Sequence, residues 1–289
     1  MAQAILERAR ARAEVLAAQG VVPMLAILSC GTDLAAEAYL AGLASAAERT
    51  GVRLSPVALP QGTAQEAAQE ALLALGRDDD VHGILLVHPL PPDWDEGKLN
   101  ACLPPEKDVE GIHPVNLGRL LSGGAASAGF ARLREAVEGF LPATPRAVME
   151  LLAFYEVELA GREVVVVGGG WVGLPLSVLL LREALSTVTV CDRNTRDLAE
   201  VSRRADVLCV AAGQPGLVRG HMVKPGAVVV DIGVHRLGNG LVGDVNFEEA
   251  AGVARAITPV PGGVGPVTAA VVVEQTVRAA ARLVKEGSG

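Results

Sequence analysis

Residues 163–173, EVVVVGGGWVG, contain the most informative motif of the chain. Its four successive valines predict a short strand buried on both faces, as in a parallel sheet. Gly168, Gly170 and Gly173 then match the G-x-G-x-x-G spacing of a tight turn from a strand into a helix. Such a turn lets the backbone approach a pyrophosphate, which the N–H groups at the helix N-terminus bind. The pattern predicts a Rossmann-like dinucleotide-binding unit, and the alternative is a tight turn that binds no ligand.

The end of the next predicted strand indicates which dinucleotide would bind. Residues 187–191 read TVTVC and are followed by Asp192 and Arg193. A carboxylate at this position accepts hydrogen bonds from the ribose hydroxyls of NAD and repels the 2′-phosphate of NADP. Arg193 could instead pair with that phosphate. The residues favour NAD and leave NADP open; the alternative is that Asp192 only caps the turn while Arg193 is solvated.

Strand and helix patterns alternate along the rest of the chain. Strands are predicted at 22–29, 52–58, 83–87, 207–211 and 227–230, and helices at 3–19, 34–50, 63–75, 147–155, 174–183, 195–204 and 267–285. Pro56 indicates that its strand lies at the edge of a sheet. The alternation predicts an α/β fold with parallel sheets in two α/β domains. Residues 1–135 with the C-terminal helix in 267–289 would form the first domain, and residues 136–266 the second.

Composition argues against several classes of protein. The 289 residues carry a net charge of −8, which disfavours nucleic acid as a partner. No run of about 18 apolar residues is free of charges or of a Gly or Pro break, so we expect no membrane span. The amphipathic N-terminus is unlike a signal peptide. The four cysteines have no CxxC spacing and no accompanying histidine cluster, so we expect reduced thiols in a cytoplasmic protein with no metal site.

Further motifs are spread over nearly the whole chain. They are GTD at 31–33 with Tyr39, GILLVHPLP at 83–91, PEKDVEGIHP at 105–114, FLPATP at 140–145, VGLP at 172–175, GDV at 243–245 and TPVPGGVGPVT at 258–268. Together they resemble the motifs of the methylenetetrahydrofolate dehydrogenase/cyclohydrolase family. The last run nearly repeats the TPVPGGVGPMT of that family.

The resemblance implies a homodimer whose two α/β domains flank a cleft that binds a tetrahydrofolate-type substrate. Tyr39 would stack on the aminobenzoyl ring of the folate, and Glu110 would take the place of the family's pterin-binding aspartate. These two are the expected catalytic and substrate-binding residues, and the loop of Pro261, Gly262 and Gly263 would lie by the folate and the nicotinamide. The expected cofactor-binding residues are Thr144, Gly168, Gly169, Gly170, Val172, Gly173, Asp192, Arg193, Gly213, Ile232, Gly265 and Thr268.

Two departures from the family motifs bear on the activity. The family's catalytic lysine lies one helical turn after the tyrosine, where this chain has Leu43, and the family's glutamine in GILVQLPLP is Val87 here. Hydride transfer needs two carbons held close together, whereas the addition of water to the methenyl product needs a group that moves protons. We therefore predict a 5,10-methylenetetrahydrofolate dehydrogenase with weak or absent cyclohydrolase activity. His88 could move the protons instead, although strand alternation would point it away from the glutamine's side.

The phosphate-binding turn departs as well. Gly169 and Gly170 replace an Arg-Ser pair whose arginine helps to bind the 2′-phosphate of NADP in the family. This change also favours NAD, although NADP is the family default. Residues 122–139 extend the usual connection by about ten residues. Three alternatives stay open: a fully bifunctional enzyme, a non-catalytic folate- or nucleotide-binding homologue, and a dehydrogenase for another small substrate.

Overall fold

The computed structural model describes residues 1–31, 34–122, 130, 139–238 and 240–286. Thr32 and Asp33 of the first motif, and residues 123–129 and 131–138 of the predicted insertion, lie outside the described residues. The chain divides into two compact units. Unit 1 comprises Met1–Arg119, Glu138–Ala143 and Thr268–Gly289, and unit 2 comprises Leu120–Val137 and Thr144–Val267.

Unit 1 is built around a three-stranded parallel sheet with the order β2-β1-β3. The elements are α1 (Ala2–Ala18), β1 (Met24–Cys30), α2 (Leu34–Thr50), β2 (Arg53–Leu59), α3 (Gln65–Arg77), β3 (Gly83–Leu86), α4 (Glu96–Asn100) and α5 (Pro114–Ser122), which leads towards unit 2. Strand β1 is the central strand and is almost entirely buried. Pro56 lies in the edge strand β2, as predicted, because an edge tolerates a residue without a backbone N–H.

Unit 2 contains a five-stranded parallel sheet with the order β10-β7-β6-β4-β5. Its elements are α6 (Ala143–Phe154), β4 (Glu163–Val167), α7 (Gly173–Glu183), β5 (Thr187–Cys191), α8 (Leu198–Ser202), β6 (Val207–Val210), a 3₁₀ turn (Gly220–Met222), β7 (Val228–Asp231), the hairpin strands β8 (His235–Leu237) and β9 (Gly240–Val242), α9 (Phe247–Ala251) and β10 (Ala256–Ile257). The two parallel sheets confirm the predicted α/β class. The hairpin was not predicted.

The order of the strands in unit 2 defines a place for a ligand. Strand β5 pairs with one side of β4, and the chain then returns to place β6 on its other side. The connections therefore diverge at the carboxyl end of β4, and open α/β sheets bind ligands at such a switch point. The four valines of β4 are each at most 2 % exposed, so a rigid core holds the turn that follows them.

The last helix, α10 (Val264–Glu286), starts three residues before the predicted position. Pro266 in its first turn made that region resemble a loop, but the first turn of a helix needs no N–H from proline. From Thr268 onward the helix belongs to unit 1, where the Gln275 side chain donates to the carbonyl oxygens of Val109 and Leu141 at 2.6 Å and 3.1 Å. It therefore fixes the backbone next to Glu110.

Within the described ranges, no helix has the length and apolar character that crossing a bilayer requires. Nor do the described side chains place three or more His, Cys, Asp or Glu residues where they could hold a metal ion.

Candidate functional site

The glycine-rich turn follows β4 in unit 2, at the switch point. Gly168 has a φ of +127°, and a Cβ there would be 2.1 Å from the carbonyl oxygen of Ala211. A Cβ on Gly173 would be 1.8 Å from the carbonyl oxygen of Gly168. At Gly170, in contrast, a Cβ would have no heavy atom within 4 Å. The turn is thus tightly packed at Gly168 and Gly173 and has free space beside Gly170, as the approach of a pyrophosphate requires.

Helix α7 begins directly after this turn. Its N-cap residue is Val172, which makes no side-chain hydrogen bond to the first N–H groups of the helix. Leu174 donates its N–H to the carbonyl oxygen of Gly170 at 3.1 Å and Pro175 has no N–H, so the helix offers an anion the N–H of Gly173 and the positive end of its dipole. The helix has 11 residues, so its dipole is well developed.

Asp192 lies at the carboxyl end of β5, next to the same turn. The position of a Cβ on Gly169 is 3.9 Å from the Asp192 Cβ. Asp192 Oδ1 accepts a hydrogen bond from the Asn194 N–H at 2.8 Å, so this carboxylate does cap its turn. Its other oxygen, Oδ2, has no hydrogen-bond partner among the described residues, and both Asp192 and Arg193 are exposed. One carboxylate oxygen is therefore free to accept hydrogen bonds from ribose hydroxyls.

A buried carboxylate organises the loop after β6, which contains Gly213. Asp244 is fully buried and accepts hydrogen bonds from the N–H groups of Ala212, Gly213 and Gln214 at 2.6, 3.1 and 2.8 Å. Its Oδ1 also lies 2.6 Å from His235 Nε2. These contacts fix the loop that faces the turn at Gly168.

A second carboxylate, Asp231, ends β7 and holds the segment that carries Asp244. It accepts hydrogen bonds from the N–H groups of Asp244 and Val245 at 2.9 Å and 3.0 Å. Burial raises the pKa of Asp231 to about 6, against the opposing effect of these hydrogen bonds. Ile232 follows directly and donates its N–H to the carbonyl oxygen of Val210. It is therefore positioned at the same edge of the sheet as Gly213.

The loop with Pro261, Gly262 and Gly263 leaves β10 at this edge as well. The hydroxyl of Thr258 accepts from the Asp231 N–H at 2.8 Å and so joins the loop to the end of β7. Gly262 has a φ of +108°, and a Cβ on Gly263 would be 2.6 Å from the carbonyl oxygen of Pro259. The loop therefore needs both glycines, and its backbone is tightly folded.

The predicted cofactor residues are thus distributed over the two units. The carboxyl ends of the unit 2 strands bring together Gly168, Gly169, Gly170, Val172, Gly173, Asp192, Arg193, Gly213 and Ile232. Thr144 and Gly265 also belong to unit 2, each in the first turn of its helix. Thr268 belongs to unit 1, as do Tyr39 and Glu110.

In unit 1, Tyr39 and Glu110 each have a buried polar atom with no hydrogen-bond partner in the described part of the chain. These atoms are the Tyr39 hydroxyl oxygen and Glu110 Oε2, and both are inaccessible. The residues themselves are partly exposed, so each presents some of its surface outward. Burial and, to a smaller extent, the nearby carboxylates of Asp108 and Glu96 together raise the pKa of Glu110 to about 8. Burial, with a smaller effect of Glu110, also raises the pKa of Tyr39.

The two positions at which the chain departs from the family motifs are apolar and buried. Leu43 is 0 % exposed and Val87 is 4 % exposed. The neighbouring His88 has a side chain that is 41 % exposed, and its Nε2 lies 3.5 Å from Glu96 Oε1. Burial lowers the pKa of His88, so the imidazole is neutral near pH 7.

Comparison with protein families assigns both parts of the chain. Residues 1–110 match the catalytic domain of tetrahydrofolate dehydrogenase/cyclohydrolase, and residues 142–284 match its NAD(P)-binding domain. The chain is 42 % identical to the bifunctional protein FolD of Acetivibrio thermocellus over 96 % of its length and 93 % of that relative. The FolD protein of Thermus thermophilus is 44 % identical over 96 % and 93 %.

The chain belongs to the tetrahydrofolate dehydrogenase/cyclohydrolase family.

Solved structures of the family have the same fold over nearly the whole chain. The bifunctional FolD enzyme of Campylobacter jejuni has a TM-score of 0.86 and 37 % identity, with 97 % of this chain and 96 % of that chain covered. The FolD protein of Trypanosoma brucei, solved with NADP and an inhibitor, has a TM-score of 0.86 and 37 % identity, with coverage of 98 % and 96 %. The predicted family and the Rossmann-like second domain are confirmed.

Sequence reasoning missed most of the polar network of unit 2. The GDV motif that contains Asp244 was recognised, but no role was predicted for this carboxylate, and neither His235 nor Asp231 was singled out. The available signal was a carboxylate between a glycine and a valine, a pattern of a buried acid that needs backbone donors. The hydrogen bond to His235 joins the two ends of a hairpin for which residues 235–242 contain no recognisable pattern.

Proposed function

We propose that the chain oxidises 5,10-methylenetetrahydrofolate to 5,10-methenyltetrahydrofolate, as a dehydrogenase with weak or no cyclohydrolase activity. The observation that carries this proposal is the fully buried Leu43 at the position of the family's lysine, in a chain that keeps the three glycines of the G-x-G-x-x-G turn. The turn supports hydride transfer to a dinucleotide, and Leu43 cannot move a proton.

The dehydrogenase step requires mainly that the protein position the folate and the dinucleotide. The methylene carbon of the folate loses a hydride, which carries two electrons, and becomes the methenyl carbon. When bound, the nicotinamide ring supplies the redox chemistry by accepting that hydride at C4. The residues from Gly168 to Gly173 would hold the pyrophosphate and Asp192 the ribose, while Tyr39 and Glu110 would hold the folate. The acceleration comes from holding the two carbons close and in line.

The hydrolytic step also requires a protein group that transfers protons. A water that attacks the methenyl carbon must lose a proton, and ring opening requires a proton on nitrogen, so a group within reach has to accept and donate. Leu43 and Val87 can do neither. The methenyl product would therefore leave the enzyme before it is hydrolysed.

NAD is the cofactor we propose, with NADP as the alternative. Asp192 Oδ2 is free to accept from a ribose hydroxyl and would repel a 2′-phosphate. The residue next to it across the turn is Gly169, which offers no cation to a phosphate. Both cofactors occur on this fold, since one solved relative was crystallised with NADP and the Saccharomyces cerevisiae enzyme of the same fold is described as NAD-dependent.

The roles of the two units, the oligomeric state and the cellular location are part of the same proposal. Units 1 and 2 would act as the folate and dinucleotide domains, with boundaries near residues 135 and 267. The chain would form a homodimer, as the family resemblance implies. A cytoplasmic location is supported by the four cysteines, all of which are free thiols.

The test is an assay of the purified protein with 5,10-methylenetetrahydrofolate and either NAD or NADP, in which the absorbance of the reduced nicotinamide is followed. Reduction that depends on the folate is the expected result, with NAD the better acceptor. A faster reaction with NADP would overturn the choice of cofactor. No reduction with either would overturn the proposed activity and favour a non-catalytic binding protein.

A fully bifunctional enzyme is the second candidate, and the pair of His88 and Glu96 favours it. A neutral imidazole can accept a proton, and the carboxylate 3.5 Å from it could stabilise the imidazolium that forms. The names of the relatives also describe bifunctional proteins. In that case, the wild type would hydrolyse methenyltetrahydrofolate faster than buffer does, and His88→Leu would remove the excess rate.

A further inference from the structure

His235 is held by a carboxylate that already has backbone donors on both of its oxygens. Asp244 accepts from the N–H groups of residues 212–214, and its Oδ1 lies 2.6 Å from His235 Nε2. A carboxylate offers no hydrogen of its own, so Nε2 carries the hydrogen of this bond. The three N–H groups also stabilise the charge of Asp244, which therefore needs no imidazolium beside it. The arrangement is that of a neutral imidazole, in which Nδ1 is a hydrogen-bond acceptor.

The acceptor Nδ1 of His235 is open to a ligand. Among the residues that the structure describes, no group donates to this nitrogen. It is not one of the inaccessible polar atoms that lack a partner, and the side chain is 20 % exposed. Because Asp244 holds the other nitrogen of the ring, the imidazole has a fixed orientation and Nδ1 points in a fixed direction.

Free space lies on the face of the hairpin that carries His235. His235 is paired with Val242 across β8 and β9, and the side chains of directly opposed residues lie on the same face of a ladder. Val242 lines a cavity of about 650 Å³, together with Gly216 after β6, Asp231 at the end of β7 and Pro259 after β10. The carboxyl ends of three neighbouring strands and the hairpin therefore enclose room for a ligand next to this histidine.

The order of the strands in unit 2 gives the direction in which a dinucleotide would extend. The glycine-rich turn follows β4, Asp192 follows the edge strand β5, and β6 and β7 lie on the other side of β4. A dinucleotide at a switch point lies across the edge of the sheet, with its two nucleosides on opposite sides of the pyrophosphate. If Asp192 binds the adenosine ribose, the nicotinamide half extends over the ends of β6 and β7, towards the cavity and His235.

We propose that His235 is a cofactor-binding residue whose Nδ1 accepts a hydrogen bond from the carboxamide NH₂ group of the nicotinamide. This inference rests on the proposed function, since it takes a nicotinamide dinucleotide as the ligand. The carboxamide carries the only N–H groups of the oxidised nicotinamide ring, so it is the part of the ring that an acceptor can recognise. Because Asp244 fixes the imidazole, this bond would also fix the rotation of the ring and hence the face that C4 presents.

A dinucleotide without this donor provides the test. The 3-acetylpyridine analogue of NAD has a methyl group in place of the NH₂ group and keeps the carbonyl oxygen. Titration calorimetry without folate would measure the binding of both dinucleotides, independently of turnover. We expect the wild type to bind NAD about five- to tenfold more tightly than the analogue, and His235→Leu to bind the two equally.

His235→Gln is the matched control, because its amide can donate to Asp244 and still present an acceptor, so it should keep a preference for NAD. A disordered loop at residues 212–214 would weaken the binding of both dinucleotides and leave their ratio unchanged. A wild type without a preference, or a preference in His235→Leu as large as in the wild type, would therefore overturn the inference.

The ring nitrogens of the wild type provide a second measurement, which does not rely on the folding of His235→Leu. The chain has five histidines, so the ¹⁵N signals of His235 can be assigned by their absence from His235→Gln. We expect the Nδ1 signal to move when NAD is added and to change little with the analogue. No change with NAD, or the same change with both, would overturn the inference. If NADP binds better, NADP and its 3-acetylpyridine analogue serve in the same way; a wild type that binds neither NAD nor NADP would instead refute the proposed function.

Discussion

The carbonyl oxygen of Gly168 occupies the space that a side chain on residue 173 would need: a Cβ there would be 1.8 Å away. The contact closes the turn between β4 and α7, and it cannot relax without moving backbone. We expect Gly173→Ala to lower the free energy of unfolding by about 3 kcal/mol or more. Urea denaturation would measure this. Gly170→Ala is the matched control, because no atom lies within 4 Å of its Cβ position, and an equal loss in both variants would contradict the account.

Glu110 should make the stability of the protein depend on pH. Its pKa in the folded state is about 8 and is raised above the ordinary value of 4.5, so its contribution is fully present below about pH 4.5 and is lost as the pH rises towards 8. We therefore expect the free energy of unfolding of Glu110→Gln, relative to that of the wild type, to increase by on the order of 2–3 kcal/mol from pH 5 to pH 8.

The measurement is the free energy of unfolding of both proteins across this pH range. Glu48→Gln, at an exposed position of α2, controls for the loss of a negative charge and should give a difference that does not change with pH. A difference between Glu110→Gln and the wild type that is equally flat would show that Glu110 is ionised in the folded protein.

Asp244 should be essential to the loop that carries Gly213. Asp244→Asn would turn an NH₂ group towards at least one of the N–H groups of Ala212, Gly213 and Gln214. We expect a loss of about 2–4 kcal/mol of stability and a higher KM for the cofactor. Asp192→Asn is the control, since Asp192 is exposed and asparagine can cap the same turn. If the stabilities of the two variants were the same, the assigned role of Asp244 would be wrong.

Asp192 should set the choice of cofactor. Asp192→Ser removes the charge that repels a 2′-phosphate and leaves Arg193 beside the site. We expect the ratio of kcat/KM for NAD to that for NADP to fall by about 10- to 100-fold. Steady-state kinetics with each cofactor would give this ratio, and Arg193→Ala should move it in the opposite direction. An unchanged ratio in Asp192→Ser would place the determinant elsewhere.

The features that sequence predicts well here are local ones. The valines of β4, the glycines of the turn and Asp192 follow one another closely in the chain, so spacing alone places them on a strand, a turn and a strand end. The start of α10 was missed because Gly265 and Pro266 are typical of loops, and only the helix geometry shows that proline fits its first turn.

The charge state of Glu110 could not be predicted from the sequence, for a different reason. It depends on which carboxyl group receives the hydrogen bonds of His113 and Asn116 and on where the Lys107 ammonium lies. These contacts join segments that no pattern of residue types relates. The hydrogen bonds from the loop after β6 to Asp244 likewise could not be predicted, because they join residues about thirty positions apart.

We expect the protein to transfer hydride and to release the methenyl product intact. The most direct test is to supply 5,10-methylenetetrahydrofolate and NAD and to record the reduced nicotinamide and methenyltetrahydrofolate together, at a pH where spontaneous hydrolysis is slow. We expect both to accumulate in equal amounts and the methenyl signal then to decay no faster than in buffer. Reduced nicotinamide that accumulates while the methenyl signal disappears in proportion to enzyme concentration would contradict it.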